Sequence, residues 1–268
     1  MLDQKLIANI RNSGIVQGTA QEPKRTQLLC EEFGFRVADK AEYAVIASCS
    51  LPFSQPQAMK ALSFLLQHFK LDYTLLPREY CCGLPLFMQA IRNKSEPDLN
   101  EAHLLAKEFL DDNLRQVREV GATKIIVFCA GCEVLYSRFA EAIPQEALWY
   151  PALLARIFRG GKLDLEADYY AGCYYLHRRL CSAPTDLDSQ LRILNSIEGL
   201  KLNHLNHQLC CTRPQEAEEL VASIKSRTVI TACADCARRL KNLLQDKGDY
   251  KVIFLPEIVA AAVKGDSL

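Results

Sequence analysis

Ten of the chain's twelve cysteines follow one order written twice. Cys49, the adjacent pair Cys81 and Cys82, and the run Cys129-Ala130-Gly131-Cys132 come first. Cys173, the pair Cys210 and Cys211, and Cys233-Ala234-Asp235-Cys236 repeat it. The adjacent pairs carry the chemical signal. A disulfide between sequence neighbours closes a strained ring, so each sulfur of such a pair is better used on something different. Consecutive Cα atoms are only about 3.8 Å apart, and two neighbouring thiolates reach two metal atoms more comfortably than one. A structural zinc site wants a tetrahedron of ligands, usually two CxxC-type pairs, and each half here has one such run plus a single cysteine and a doublet. Five soft thiolates per half favour a polynuclear centre, which for this ligand means iron and sulfide.

The duplication extends beyond sulfur. VFCAGCEVLYSRF (127–139) aligns with ITACADCARRLKN (230–242), and LWYPALLARIFRGG (148–161) with IFLPEIVAAAVKGD (253–266). A repeat of this length is a duplicated domain rather than a solenoid unit.

Each cysteine group follows a short apolar run: YAVIAS before Cys49, DYTLL before Cys81, KIIVF before Cys129, ADYYAG before Cys173, a segment with LNHL before Cys210 and RTVITA before Cys233. Between them lie stretches with apolar residues three and four apart, among them QPQAMKALSFLLQHF (55–69), DLNEAHLLAKEFLDDNLRQVREVG (98–121) and LDSQLRILNSIEG (187–199). Strands alternating with helices predict an α/β fold of two tandem duplicated units with mainly parallel sheets, the cysteine motifs at the strand C-terminal ends where such units collect ligands. The expected organisation is a helical N-terminal extension over 1–40 without motifs of its own, a first cysteine-rich domain over 41–160 and a second over 161–268. The break is expected around RGGKLDLEAD (159–168), where glycines and charges interrupt the pattern.

Composition excludes several functions. Lys and Arg number 32, as do Asp and Glu, with no basic stripe to suit nucleic acid. The longest apolar runs, IIVFCAGCEVLY and VIFLPEIVAAAV, fall short of the roughly 20 residues a spanning helix needs. The N-terminus has no apolar signal core, so a cytoplasmic location is expected. In a reducing compartment this many thiols point to metal or redox chemistry rather than disulfides.

C-x31-CC-G-L-P, CAGC, AGCYYLHRR and TACADC resemble the cysteine-rich CCG domain of the B-type component of heterodisulfide reductase, found in variants in glycolate oxidase iron–sulfur subunits and in an unusual class of succinate dehydrogenase. The resemblance covers roughly residues 43–262. It implies a noncubane [4Fe-4S] centre on Cys49, Cys81, Cys82, Cys129 and Cys132, and a second on Cys173, Cys210, Cys211, Cys233 and Cys236. It also implies an oxidoreductase that reduces or forms a disulfide or related sulfur substrate, with electrons supplied by a ferredoxin-like iron–sulfur subunit followed by a flavoprotein. Three departures bear on the second set: its doublet reads CCTRP, its spacing to the CxxC run is short, and Tyr174 stands where the family often has His. Zinc is the alternative cofactor there. An electron-transfer or anchor subunit of the succinate dehydrogenase or glycolate oxidase kind, and a zinc-stabilised interaction module, are the competing functions.

Outside the pattern, Cys30 and Cys181 read as structural thiols. His204 and His207 are candidate supporting donors to the second set. His177, Arg178 and Arg179 are candidate counter-charges, with a solvated helix face as the plain alternative. LLARIF (153–158) reads as core.

Overall fold

A computed structural model of the chain describes residues 1–172, 174–182 and 184–266. They divide into two compact units, one of Met1–Met59, Lys70–Tyr150 and Leu180–Ala183, the other of Lys60–Phe69, Pro151–Arg179 and Pro184–Leu268.

In chain order the elements up to the end of the first sheet are α1 (Gln4–Ser13), α2 (Glu22–Gln27) with a π-helical turn Leu28–Glu32, β1 (Tyr43–Ile46), α3 (Leu51–Ser54), α4 (Pro56–His68), β2 (Tyr73–Leu75), α5 (Leu84–Asn93), α6 (Glu96–Glu119), β3 (Lys124–Val127), α7 (Ala130–Arg138) and β4 (Glu146–Trp149). There follow α8 (Tyr150–Ile157), β5 (Gly161–Tyr170), α9 (Tyr175–Leu180), α10 (Asp188–Asn195), β6 (Ile197–His204), α11 (Pro214–Ala222), β7 (Thr228–Thr231), α12 (Ala234–Leu244), β8 (Lys251–Phe254) and α13 (Leu255–Lys264).

Each sheet has four strands, ordered β2-β1-β3-β4 and β6-β5-β7-β8, and every pairing is parallel. The inner strands β1 and β3 are almost wholly apolar because both faces are covered: Ala44, Val45, Ile125 and Ile126 have no accessible surface. In both sheets the chain runs outward from the first strand to the second, then crosses back to place the third on the other side. The reversal falls between β1 and β3, and between β5 and β7, the position where open parallel sheets present a crevice at their C-terminal edge. Cys49 follows β1 and Cys129 follows β3, with Ile46 paired to Val127 just before them. The repeated strand order agrees with the duplication read from the cysteine motifs.

The stretch 159–168, expected as a break in the pattern, is mostly strand. Leu163 and Ala167 turn inward while Asp164 and Glu166 face water, so the charges mark one face of β5. The N-terminal segment carries α1 and α2, with Ile7 and Ile10 of α1 buried. It is not without a role: the carbonyl of Gly14 accepts the N–H of Cys81 at 2.7 Å. LLARIF is core as expected, Leu153, Leu154 and Phe158 all being buried.

Candidate metal centre

The first cysteine set comes together. Cys49, Cys81, Cys82 and Cys132 are buried and Cys129 is half-buried. The Sγ atoms of Cys49 and Cys81 lie 3.5 Å apart. The thiol of Cys82 interacts with those of Cys132 and Cys81, and Cys132 in turn with Cys129. All five therefore belong to one connected array of sulfurs, with the adjacent pair at its middle: Cys81 reaches toward Cys49, Cys82 toward Cys132.

Local backbone explains the placement. Cys129 caps the N-terminus of α7, its sulfur accepting the N–H of Gly131 at 3.3 Å, so the CxxC run straddles a helix start where a thiolate is favoured. Gly83 caps α5 with φ +82, and an added Cβ would lie 2.9 Å from the Cβ of Ala106 on α6. Only glycine meets both demands without strain.

The segment leading into the adjacent pair is held residue by residue. Gln116 of α6 accepts the N–H of Arg78 at 2.8 Å and donates to its carbonyl at 2.7 Å. Asn113, one turn earlier, does the same for Tyr80, at 2.8 Å in both directions. Between them Glu79 points the other way, its carboxylate accepting the N–H groups of Ala47 and Ser48 at 2.7 and 2.8 Å. Arg25 of α2 closes this arrangement, donating to Glu79 at 2.8 Å and to the carbonyl of Ser48 at 3.0 Å. None of these four side chains stands out in the sequence; an arginine in a charged helix gives no sign of burial until its partner is placed.

The array divides its protons unevenly. Hydrogen bonds from Cys132 and Cys81 outweigh burial and hold the Cys82 thiol down to about 6, against an ordinary value of 9.0. Cys49 is raised well above that value by donating to Cys81 and by burial, and Cys132 by Cys129, Cys82 and burial. Cys81 is drawn down by Cys49, but Cys82 and burial leave it well above. Without a bound group, the array thus favours deprotonation at Cys82 before its neighbours.

The second set is assembled differently. The sulfurs of Cys211 and Cys236 lie 3.5 Å apart, and Cys233, at the N-cap of α12, interacts with Cys236. Cys236 lowers the Cys211 thiol against the opposing effect of burial, while Cys211, Cys233 and burial raise Cys236. Cys210 faces the Thr212 hydroxyl at 3.0 Å, and its N–H donates to Glu216 at 2.6 Å. Thr212 stands where the first set has Gly83. Cys173 lies outside the described residues.

Other residues singled out in the sequence are placed as follows. Cys30 and Cys181 are half-buried, and Cys181 donates to the carbonyl of Val134 at 3.1 Å. His204 and His207 are exposed, the former against the Tyr169 ring and the latter beside Gln208. His177 is buried rather than solvated, whereas Arg178 and Arg179 face water.

The donors of the first set fit a thiolate-bound metal group in chemistry. Tyr136, one turn after Cys132, points to the same place: its hydroxyl is buried without a hydrogen bond of normal geometry among the described residues, although Asn113 stands close enough to favour the phenolate weakly. Cys132, Glu79 and Cys82 lie near enough to raise its pKa, though less than burial does. Among the described residues, no three His, Cys, Asp or Glu side chains are disposed as a ready cage for a single ion.

Residues 43–135 match the CCG cysteine-rich domain. The D-type component of the dihydromethanophenazine:CoB–CoM heterodisulfide reductase of Methanosarcina acetivorans is 25% identical over 193 residues, covering 66% of this chain and 44% of that protein. Its counterpart in Methanosarcina barkeri is 23% identical over 267 residues, covering 85% and 60%. The B-type component of a fumarate reductase (CoM/CoB) from Methanothermobacter marburgensis is 23% identical over 244 residues, covering 81% and 46%. The chain thus spans about half the length of the curated relatives it matches. The cysteine motifs resemble the B-type component of heterodisulfide reductase, whereas these heterodisulfide reductase relatives are of the D type; the motifs mark the domain and not the component that carries it. Among the described residues no helix is long and apolar enough to cross a membrane.

Proposed function

We propose that this chain is the iron–sulfur part of a heterodisulfide reductase-type complex and acts as an oxidoreductase on a sulfur group. The observation that supports this reading best is the split of the adjacent pair, Cys81 toward Cys49 and Cys82 toward Cys132, within one connected five-thiol array. Cys49, Cys81, Cys82, Cys129 and Cys132 would hold a [4Fe-4S] group of noncubane type. Cys173, Cys210, Cys211, Cys233 and Cys236 would hold a second group, or zinc, since Cys210 is engaged by Thr212. An iron–sulfur group of this kind supplies one-electron chemistry toward a disulfide.

The chain's own residues prepare that chemistry. Burial of four of the five first-set thiols keeps bulk water from the sulfurs. The hydrogen bonds that Cys82 accepts from Cys132 and Cys81 favour its deprotonated form, the form in which sulfur binds a metal. The clamp on residues 78–81 fixes the loop that carries the pair. Electrons would come from a ferredoxin-like iron–sulfur partner and ultimately a flavoprotein, because these 268 residues carry neither a C-x2-C-x2-C-x3-C-P run nor a G-x-G-x-x-G turn. A cytoplasmic location, peripheral to the membrane through a partner, belongs to the same proposal.

Iron and sulfide analysis of protein purified without oxygen tests the reading. The expected result is a brown protein with iron in excess of zinc, losing about half its iron when Cys81 and Cys82 are both changed to Ser. Folded, colourless protein holding only stoichiometric zinc would defeat it. The Methanothermobacter relative favours a second reading, the same centre serving electron transfer in a complex of the fumarate reductase kind. Comparing consumption of a disulfide with that of fumarate by the assembled complex separates the two.

A further inference from the structure

The N-terminal segment contributes a buried charge to a site whose cysteines all lie elsewhere. Arg25 and Glu79 form an ion pair at 2.8 Å with 9% and 4% of their side chains exposed. Neither partner spends its remaining capacity at random. Glu79 accepts the N–H groups of Ala47 and Ser48, and Arg25 donates through Nε and Nη2 to the carbonyl of Ser48 at 3.2 and 3.0 Å. Ser48 has φ +79, a conformation that non-glycine residues seldom adopt without local support, and it directly precedes Cys49. Glu79 stands two residues before Cys81. The pair therefore ties the loop after β1 to the loop after β2, and the 3.5 Å approach of Cys49 and Cys81 lies at the end of that tie.

We infer that Arg25 and Glu79 are positioning residues that set the spacing of Cys49 and Cys81, making the N-terminal segment an integral part of the first metal centre. As a statement about the metal centre this rests on the iron–sulfur reading; as a statement about the two sulfurs it does not. A lysine could supply the charge of Arg25 but not its fork, which spans a carboxylate and a carbonyl together. A glutamine in place of Glu79 keeps the shape but offers one acceptor oxygen where two N–H groups need partners, and leaves Arg25 buried without an opposite charge.

The spacing can be read in metal-free protein with diamide, which takes two hydrogens from a pair of thiols as the S–S bond forms. Peptide mapping then gives the yield of the Cys49–Cys81 disulfide. Cys211 and Cys236, also 3.5 Å apart but in the other unit, serve as the internal reference. Glu79→Gln and Arg25→Leu should each lower the Cys49–Cys81 yield about tenfold and leave the reference pair unchanged, with Arg25→Lys falling between them and the parent. Iron retained after anaerobic reconstitution should fall to about half in the same two variants. An unchanged Cys49–Cys81 yield, or none in the parent, overturns the inference. A parallel fall in both pairs also overturns it, because the ion pair would then be a general stability element. A parent that binds no iron while its variants lose only the Cys49–Cys81 disulfide would defeat the iron–sulfur reading and leave the positioning role standing.

Discussion

Asn113 satisfies both backbone groups of Tyr80, accepting its N–H and donating to its carbonyl, each at 2.8 Å. With Gln116 doing the same for Arg78, one face of α6 takes the place of a neighbouring strand and holds an otherwise irregular segment straight into the adjacent cysteines. Asn113 has no accessible surface, so water cannot stand in for it.

Asn113→Leu leaves an N–H and a C=O of Tyr80 unpaired in the interior, and the expected cost is about 2–4 kcal/mol. Urea denaturation of metal-free protein measures it. A change below about 0.5 kcal/mol would mean the segment finds other partners.

Gly83→Ala combines a forbidden backbone angle with a contact on Ala106, and should cost about 1–2 kcal/mol from the angle alone. Ala106→Gly in the same chain should recover only part of the contact, because the added Cβ still lies 3.0 Å from the Cα of residue 106. Thr212→Gly, by contrast, should change stability by no more than about 1 kcal/mol while freeing Cys210. Melting curves of the three variants distinguish the two contributions, and full recovery by Ala106→Gly would show that the angle carries no strain.

The thiol shifts set a pH dependence for the metal-free fold. Cys49, Cys81, Cys132 and Cys236 bind protons more tightly folded than unfolded, so the stability they contribute is complete below about 9 and is lost as pH rises beyond it. Cys82 acts in the opposite sense: its contribution is complete above about 9 and is lost as pH falls through about 6. Metal-free protein should therefore melt lower at pH 10 than at pH 8, and metal-loaded protein, whose ligands are already thiolates, should show a smaller difference. Equal slopes in the two forms would contradict it.

Tyr136→Phe removes a buried hydroxyl that has no good partner, so the metal-free protein should keep its stability or gain slightly. If the hydroxyl faces bound sulfur, the loaded protein should show a shifted absorption spectrum and reduction potential. Loss of stability in the metal-free form would show that the hydroxyl is already satisfied there.

Much of this is legible in the sequence. The twice-written cysteine order and the short apolar runs before each group specify two parallel α/β units, because a run such as IIV (125–127) before Cys129 has no polar face to turn outward. The stretch 159–168 reads as a break only while its charges are weighed above its alternation: Leu163, Leu165 and Ala167 alternate with Asp164, Glu166 and Asp168, which is the signature of a strand. Arg25, Glu79, Asn113 and Gln116 carry no such signal. Each looks like a solvated polar residue on an amphipathic or loop segment, and their burial follows from packing between elements far apart in the chain. Cys210 differs from Cys81 for a reason that is visible in the sequence, the hydroxyl of Thr212, but only the fold shows the two atoms 3.0 Å apart.

The ion pair beneath the first sulfurs joins residues 54 apart. On a ribosome adding roughly 5–20 residues per second, Arg25 waits about 3–11 s before Glu79 has even been made, and longer before α6 and Cys132 follow. Until then the loop carrying Cys49 has no anchor, and its thiol is an isolated nucleophile open to oxidants and stray metal ions. The interval before Cys132 emerges is therefore the one in which the first cysteine set is incomplete and the nascent chain most needs protection.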